Sequence, residues 1–291
     1  MSADITMTSN VTGSQRYYLP QPSPYPVLVS AALLVLFIGS GLRVNGVGAG
    51  SWLMAAGLLL LLYAVVHWFS GVIAESRGGV YHRWESRSFR LGMIWFIISE
   101  IVLFATFFAV LFYERRISVP WLASLDPRFS PWPGFVGGWP TAGPAGHRFA
   151  TIGPLGIPLV NTILLLSSGA TVTWAHWGLK ENRRQQLIAG LIVTILLGAV
   201  FVLLQAYEFH HAYTELGLTL GSGVYGATFF MLTGLHGLHV TVGLVMLTTI
   251  LGRSLKGHFS AEHRFAVEAV SWYWHFVDVV WLCLFVLVYS V

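Results

Sequence analysis

Long apolar stretches alternate with short polar ones along most of the chain. They fall at about residues 27–42, 51–74, 91–113, 155–178, 187–208, 224–251 and 265–290, here spans I–VII. At ~1.5 Å rise per residue, every span but the first comfortably exceeds a ~30 Å hydrocarbon core. Span I, from Pro26 to Arg43, is short enough for its ends to sit in the interface. The pattern predicts an all-α fold, an integral membrane seven-helix bundle.

The polar stretches divide it. Residues 1–26 form a polar tail punctuated by prolines, Leu19-Pro-Gln-Pro-Ser-Pro-Tyr-Pro26, with an aromatic pair at Tyr17 and Tyr18. They lack a basic segment followed by an apolar one, so no signal peptide is expected. Residues 27–80 form a two-helix unit and 81–291 a five-helix bundle. The basic loop between spans II and III is the boundary. The loop at 114–154 is long and rich in Pro, Gly and Trp. It is expected either to serve a function or partner, or to cap its own bundle.

Composition agrees with the pattern. The 291 residues are 55% hydrophobic and 10% charged, against about 25% charged in soluble domains. A formal charge of +4 is too small to suggest nucleic acid. The single cysteine, Cys283, permits no internal disulfide. The basic residues are unevenly placed. Eleven lie on the side of the N-terminal tail and loops II–III, IV–V and VI–VII, and five on the other side. Positive charge retained inside puts the N-terminus in the cytoplasm and the C-terminus in the periplasm.

Several ionisable groups lie within the spans. Such groups are costly in hydrocarbon and are functional candidates. Glu100 lies about ten residues beyond Arg90, which at ~1.5 Å per residue is ~15 Å inward, near mid-bilayer. It reads either as a proton-binding group or as a protonated acid hydrogen-bonded to a neighbouring helix. His236 and His239 share a face of span VI at i, i+3, as do His275 and Asp278 in span VII. These four serve either as interhelical polar fasteners or, less completely, as part of a metal set; two histidines alone do not fill one. His210 and His211 lie beside Glu208 at the end of span V. At the end of span II, Trp68 and Glu75 are followed by Tyr81 and His82, and Arg253 lies on the same basic side. Aromatic, acidic and basic groups there suit phospholipid head groups, or simply a solvated helix end. No nucleotide loop, hydrolase elbow, zinc or haem-attachment motif occurs.

Nine stretches resemble subunit III of the haem–copper cytochrome c oxidases, in family order from about residue 65 to the end. They include Val72-Ile-Ala-Glu-Ser76, Gly92-Met-Ile-Trp-Phe-Ile-Ile-Ser-Glu100 and Pro158-Leu-Val-Asn-Thr162. Thr173-Trp-Ala-His176 and Leu203-Leu-Gln-Ala206 follow. The most specific are Thr233-Gly-Leu-His-Gly-Leu-His-Val240 and Trp272-Tyr-Trp-His-Phe-Val-Asp-Val-Val-Trp281. Spans I and II, the tail and loop III–IV match weakly.

The resemblance implies helices I–II splayed from helices III–VII by a V-shaped cleft filled with phospholipid. It implies no redox centre in this chain, with haem and copper in partner subunits I and II and cytochrome c as the donor to the complex. The implied role is to stabilise subunit I and sustain its proton uptake in aerobic respiration. The family's intramembrane glutamate falls on Glu100, and its cleft-lipid residues on Glu75 and His82. Seven spans favour the cytochrome c branch over the quinol branch, and the composition suggests a bacterial inner membrane. Two other readings compete: a di-iron membrane enzyme using some of the 11 histidines, and a proton channel using Glu100.

Overall fold

The computed structural model describes residues 22–290, apart from residues 80, 82, 127, 129, 131, 133, 145, 147 and 148 and the side chain of Arg83. Among the described residues the chain is all-helical, and seven helices are long and apolar enough to cross a membrane. They are α1 (Tyr25–Val44), α2 (Ala49–Arg77), α3 (Arg83–Tyr113), α5 (Ile157–Lys180), α6 (Arg184–Thr214), α7 (Gly223–Leu255) and α8 (Phe265–Leu284). A short helix, α4 (Val119–Ala123), follows α3.

The helices overrun the apolar spans because helix formation does not stop where hydrophobicity does. Span III, expected to close at Tyr113, continues through a π-helical turn, Glu114–Ser118, into α4. Pro120 accounts for the widened turn. It has no N–H to donate, and its ring crowds the carbonyl four residues back, so the ladder loosens rather than breaks. The non-helical connection after span III therefore starts at Ser124. Another π-helical turn, Phe285–Tyr289, closes α8. Helix α5 starts after Gly156, whose φ of 129° is open to glycine, and carries proline in its first turn. The tight α5–α6 turn places Asn182 in the left-handed region, φ 57°. Its Oδ1 accepts the Ala261 N–H at 3.2 Å, joining this turn to the α7–α8 loop.

The chain divides into two compact units, one ending at Ser88 and one formed by Phe89–Val291. In the first, α1 and α2 form a hairpin seated on small residues. A Cβ added at Gly39 would lie 2.4 Å from the Met54 backbone nitrogen, and one at Gly57 2.5 Å from that of Leu36. Lipid offers no hydrophobic drive between helices, so this close backbone approach, gained by omitting side chains, supplies the packing.

The second unit has a dense core centred on α8. Trp274 and Trp281 are 0% and 1% exposed. Trp274 Nε1 donates to Ser168 Oγ at 2.8 Å and Trp281 Nε1 to Thr162 Oγ1 at 2.9 Å, both on α5. Room for Trp274 comes from Gly198 and Gly243, where an added Cβ would come within 2.7 and 2.9 Å of its ring. Described residues of the 124–156 connection pack back on the start of α7. Phe149 stacks on Tyr225 at 5.3 Å between centroids, and the Tyr225 N–H donates to Thr141 O at 3.2 Å. Farther out in this connection, Arg128 donates to Asp126 through side chain and backbone, holding that carboxyl below its ordinary range.

Candidate functional site

Polar side chains inside the five-helix unit fall into five groups. The first joins α3 to α7. Glu100 Oε2 lies 3.0 Å from His239 Nε2, with side-chain exposures of 17% and 12%. His239 Nδ1 lies 2.8 Å from Leu235 O, which can only accept, so Nδ1 carries a hydrogen. Nε2 then either donates to a carboxylate or accepts from a carboxylic acid. Either way, one proton lies between Glu100 and His239. Phe104 meets the imidazole edge-on at 5.1 Å, and the Tyr273 hydroxyl donates to His239 O at 3.1 Å. The arrangement can hold one proton in an apolar setting and pass it between two atoms.

The second group lies between α7 and α8. His236, fully buried, donates from Nε2 to Val277 O at 3.0 Å, while Phe201 and Trp281 flank its ring. Although His236 and His239 lie one turn apart, they face different partners. The third lies on α8 and α5. His275 Nε2 is 3.1 Å from Thr173 Oγ1, and its Nδ1 is 3.6 Å from Asp278 Oδ2. Asp278 sits against Gly169, where a Cβ would come within 2.3 Å of its Oδ2.

The fourth group lies at the unit's basic end. Buried Glu268 receives Arg264 Nε at 2.7 Å and lies 2.8 Å from Arg90 Nη2, with His176 Nε2 at 3.9 Å. It joins α3, α5 and α8. The Arg264–Glu268 contact follows the i, i+4 spacing of one helix face, whereas Arg90 and His176 arrive from other helices.

A further network escaped the sequence reading. Tyr289 Oη donates to Glu208 Oε1 at 2.6 Å, and Gln205 Nε2 donates to the same oxygen at 3.1 Å. Asn161 Nδ2 reaches Gln205 Oε1 at 3.4 Å. The i, i+3 spacing of Gln205 and Glu208 was the available clue. His211 turns instead to Glu215, 3.2 Å away.

The lipid candidates are distributed between the two units. In the first, Glu75 accepts a short hydrogen bond from the Tyr81 hydroxyl, and Trp68 is 37% exposed on α2. His82 lies outside the described residues. In the second, the Arg253 guanidinium lies 4.6 Å over the Phe259 ring. Among the described residues, no group of three or more His, Cys, Asp or Glu could hold a metal ion. His236 and His239 turn to different hydrogen-bonding partners, and His275 meets Thr173 through Nε2 while its Nδ1 lies 3.6 Å from Asp278 Oδ2.

Comparison with known proteins settles the family. The pattern described as cytochrome c oxidase subunit III matches residues 15–291. The chain belongs to this family. Cytochrome c oxidase subunit 3 of Pongo abelii is 41% identical over 277 residues, covering 95% of this chain and 97% of the relative. The human protein of that name is 40% identical with the same coverage. That of Cyprinus carpio is 40% identical over 274 residues, 94% of this chain and 96% of the relative. The family and the seven membrane-length helices together establish a multi-pass membrane protein, and its relatives are subunits of an oxidoreductase complex.

Proposed function

We propose that this chain is a non-catalytic core subunit of a proton-pumping cytochrome c oxidase. It packs against the haem-bearing subunit I with subunit II as neighbour, stabilises subunit I and sustains its proton uptake. Haem and copper reside in those partners, and cytochrome c is the donor to the complex. The observation that carries the reading is the extent of the family match, which includes all seven membrane-length helices. The composition supports a bacterial inner-membrane setting, and the uneven basic residues support a cytoplasmic N-terminus and a periplasmic C-terminus.

Glu100 is the proton-linked candidate because it shares one proton with His239 while remaining part of a chain without a redox centre of its own. Replacing Glu100 with Ala in the assembled oxidase should leave the initial rate of cytochrome c oxidation nearly intact. Complete loss of initial turnover, with the complex still assembled, would refute the reading. Proton flux through vesicles holding this chain alone, if it depended on Glu100, would favour the channel. A haem spectrum from the isolated chain would also count against a purely supporting role.

The same reading includes bound phospholipids, with Glu75, His82, Trp68 and Arg253 as head-group contacts. Support comes from the Tyr81 contact, which fixes the Glu75 carboxylate at the helix end where head groups gather. Replacing Glu75 and His82 with Ala should reduce phosphorus per complex, and an unchanged lipid stoichiometry would remove the lipid assignment.

A further inference from the structure

Glu208 lies at the end of the five-helix unit opposite the basic loops, where α6 ends and α8 closes. It is 1% exposed, and its neighbours Gln205, Tyr289, Asn161 and Tyr225 are 4%, 1%, 0% and 1% exposed. Among the described residues, no Lys, Arg or His forms an ion pair with it, and the nearby His211 is engaged by Glu215.

The hydrogen bonds around the carboxyl are lopsided. Both donors, Tyr289 Oη and Gln205 Nε2, converge on Oε1. Oε2 is buried and has no hydrogen-bond partner among the described residues. An ionised carboxylate spreads its charge over both oxygens and needs donors on both. A carboxylic acid has different needs: its carbonyl oxygen accepts, and its hydroxyl donates. The observed pattern suits the acid, with Oε1 as carbonyl and Oε2 as hydroxyl.

That hydroxyl then needs an acceptor. Two other buried polar atoms of this region, Tyr225 Oη and Asn161 Oδ1, also have no partner within the described chain. A phenol and a carboxyl hydroxyl seek acceptors, whereas an amide oxygen seeks donors. Water supplies both functions, and buried polar groups of this kind are ordinarily satisfied by it.

We propose that Glu208 is held as a neutral carboxylic acid that donates its Oε2 hydrogen to internal water, forming a hydrated proton-holding site separate from Glu100. It rests on local geometry and does not depend on the oxidase reading.

Infrared difference spectroscopy tests it on the protein purified in its native assembly. A carbonyl-stretch band of a protonated carboxyl should be present and should vanish in Glu208→Gln. Tyr289→Phe, which removes one donor from Oε1, should move that band to higher frequency. A cryo-EM map resolving ordered water should show density within hydrogen-bonding reach of Glu208 Oε2. A carboxyl region unaltered by Glu208→Gln overturns the proposal, with or without such density. If Glu208→Gln fails to assemble, Tyr289→Phe decides: an unmoved band overturns it. A map in which only apolar atoms surround Oε2 also overturns it.

Discussion

Helix α1 buries two of its twenty residues, Ala32 and Gly39, whereas α8 buries thirteen of its twenty, among them Glu268, Ser271 and Asp278. The helix beside α1 follows suit: the buried residues of α2 are Gly50, Gly57 and Ala64. The hairpin is held where side chains are absent. The five-helix unit is held by large rings and by polar atoms that find partners on other helices. In hydrocarbon both are physically sound, because association there depends on close packing and interhelical hydrogen bonds. They differ in what one residue can do. A hairpin of small residues is broken by addition, and an interlocked core by removal.

The largest effect is expected from removal at Trp274. Its ring fills the space left by Gly198 and Gly243 and donates to Ser168. Trp274→Ala leaves a cavity and removes the donor to Ser168 Oγ, and should cost about 3–5 kcal/mol. Denaturation of the purified protein in mixed micelles measures it. A cost as small as a surface substitution would show that the five-helix unit is not held by its rings.

Addition at Gly39 makes the opposite test. A side chain there meets backbone atoms of Met54, which cannot rotate away. Gly39→Leu should cost about 1–3 kcal/mol, localised to one unit. Hydrogen exchange read by mass spectrometry should accelerate across residues 25–77 and remain unchanged in α5–α8. Acceleration in both units would erase the distinction between them.

The two units were also unequally legible in the sequence. Seven spans could be read because hydrophobicity over twenty residues survives any detail of packing. Their ends could not, since Glu114, Arg115 and Arg116 end an apolar run without ending a helix. Glu100 stood out as a carboxylate at membrane depth, but its partner His239 lies 139 residues away, and no spacing rule connects them. The Glu208 network was hidden for a related reason. Asn161 comes from α5, Gln205 and Glu208 from α6 and Tyr289 from the turn that closes α8, and only their folded proximity makes a cluster. The histidine pairs show the limit of periodicity. Spacing of i, i+3 correctly puts two side chains on neighbouring turns, but the opposing helices choose their partners, and His236 and His239 are assigned different ones.

Glu268 refines the comparison within the larger unit. It is buried, but its cations are not: the Arg90 and Arg264 side chains are 42% and 33% exposed. Solvent screens the guanidiniums and reduces the value of the cluster. Glu268→Gln should therefore cost roughly 1–2 kcal/mol, less than Trp274→Ala despite removing a buried charge. The loss should shrink when salt is raised during denaturation. A salt-independent loss near that of Trp274→Ala would mean that ion pairing carries as much of the unit as ring packing.

The smallest effect is expected at the end of the hairpin, where Tyr81 donates to Glu75. This bond lies at a helix terminus within reach of water, so Tyr81→Phe should cost only about 0.5–1 kcal/mol of stability. It acts on one carboxylate and leaves the small-residue contacts of α1 and α2 in place. Its effect on lipid should be the larger one if Glu75 contributes to a head-group site. Without the phenol, the carboxylate loses a fixed direction and its contact with a lipid ammonium or hydroxyl becomes less well aligned. Thermal denaturation and phosphorus content, measured on the same preparation, separate the two consequences. Near-normal stability with reduced lipid would assign Tyr81 to positioning Glu75. Normal values of both would reduce the contact to a helix-end hydrogen bond, leaving the hairpin dependent on its small residues alone.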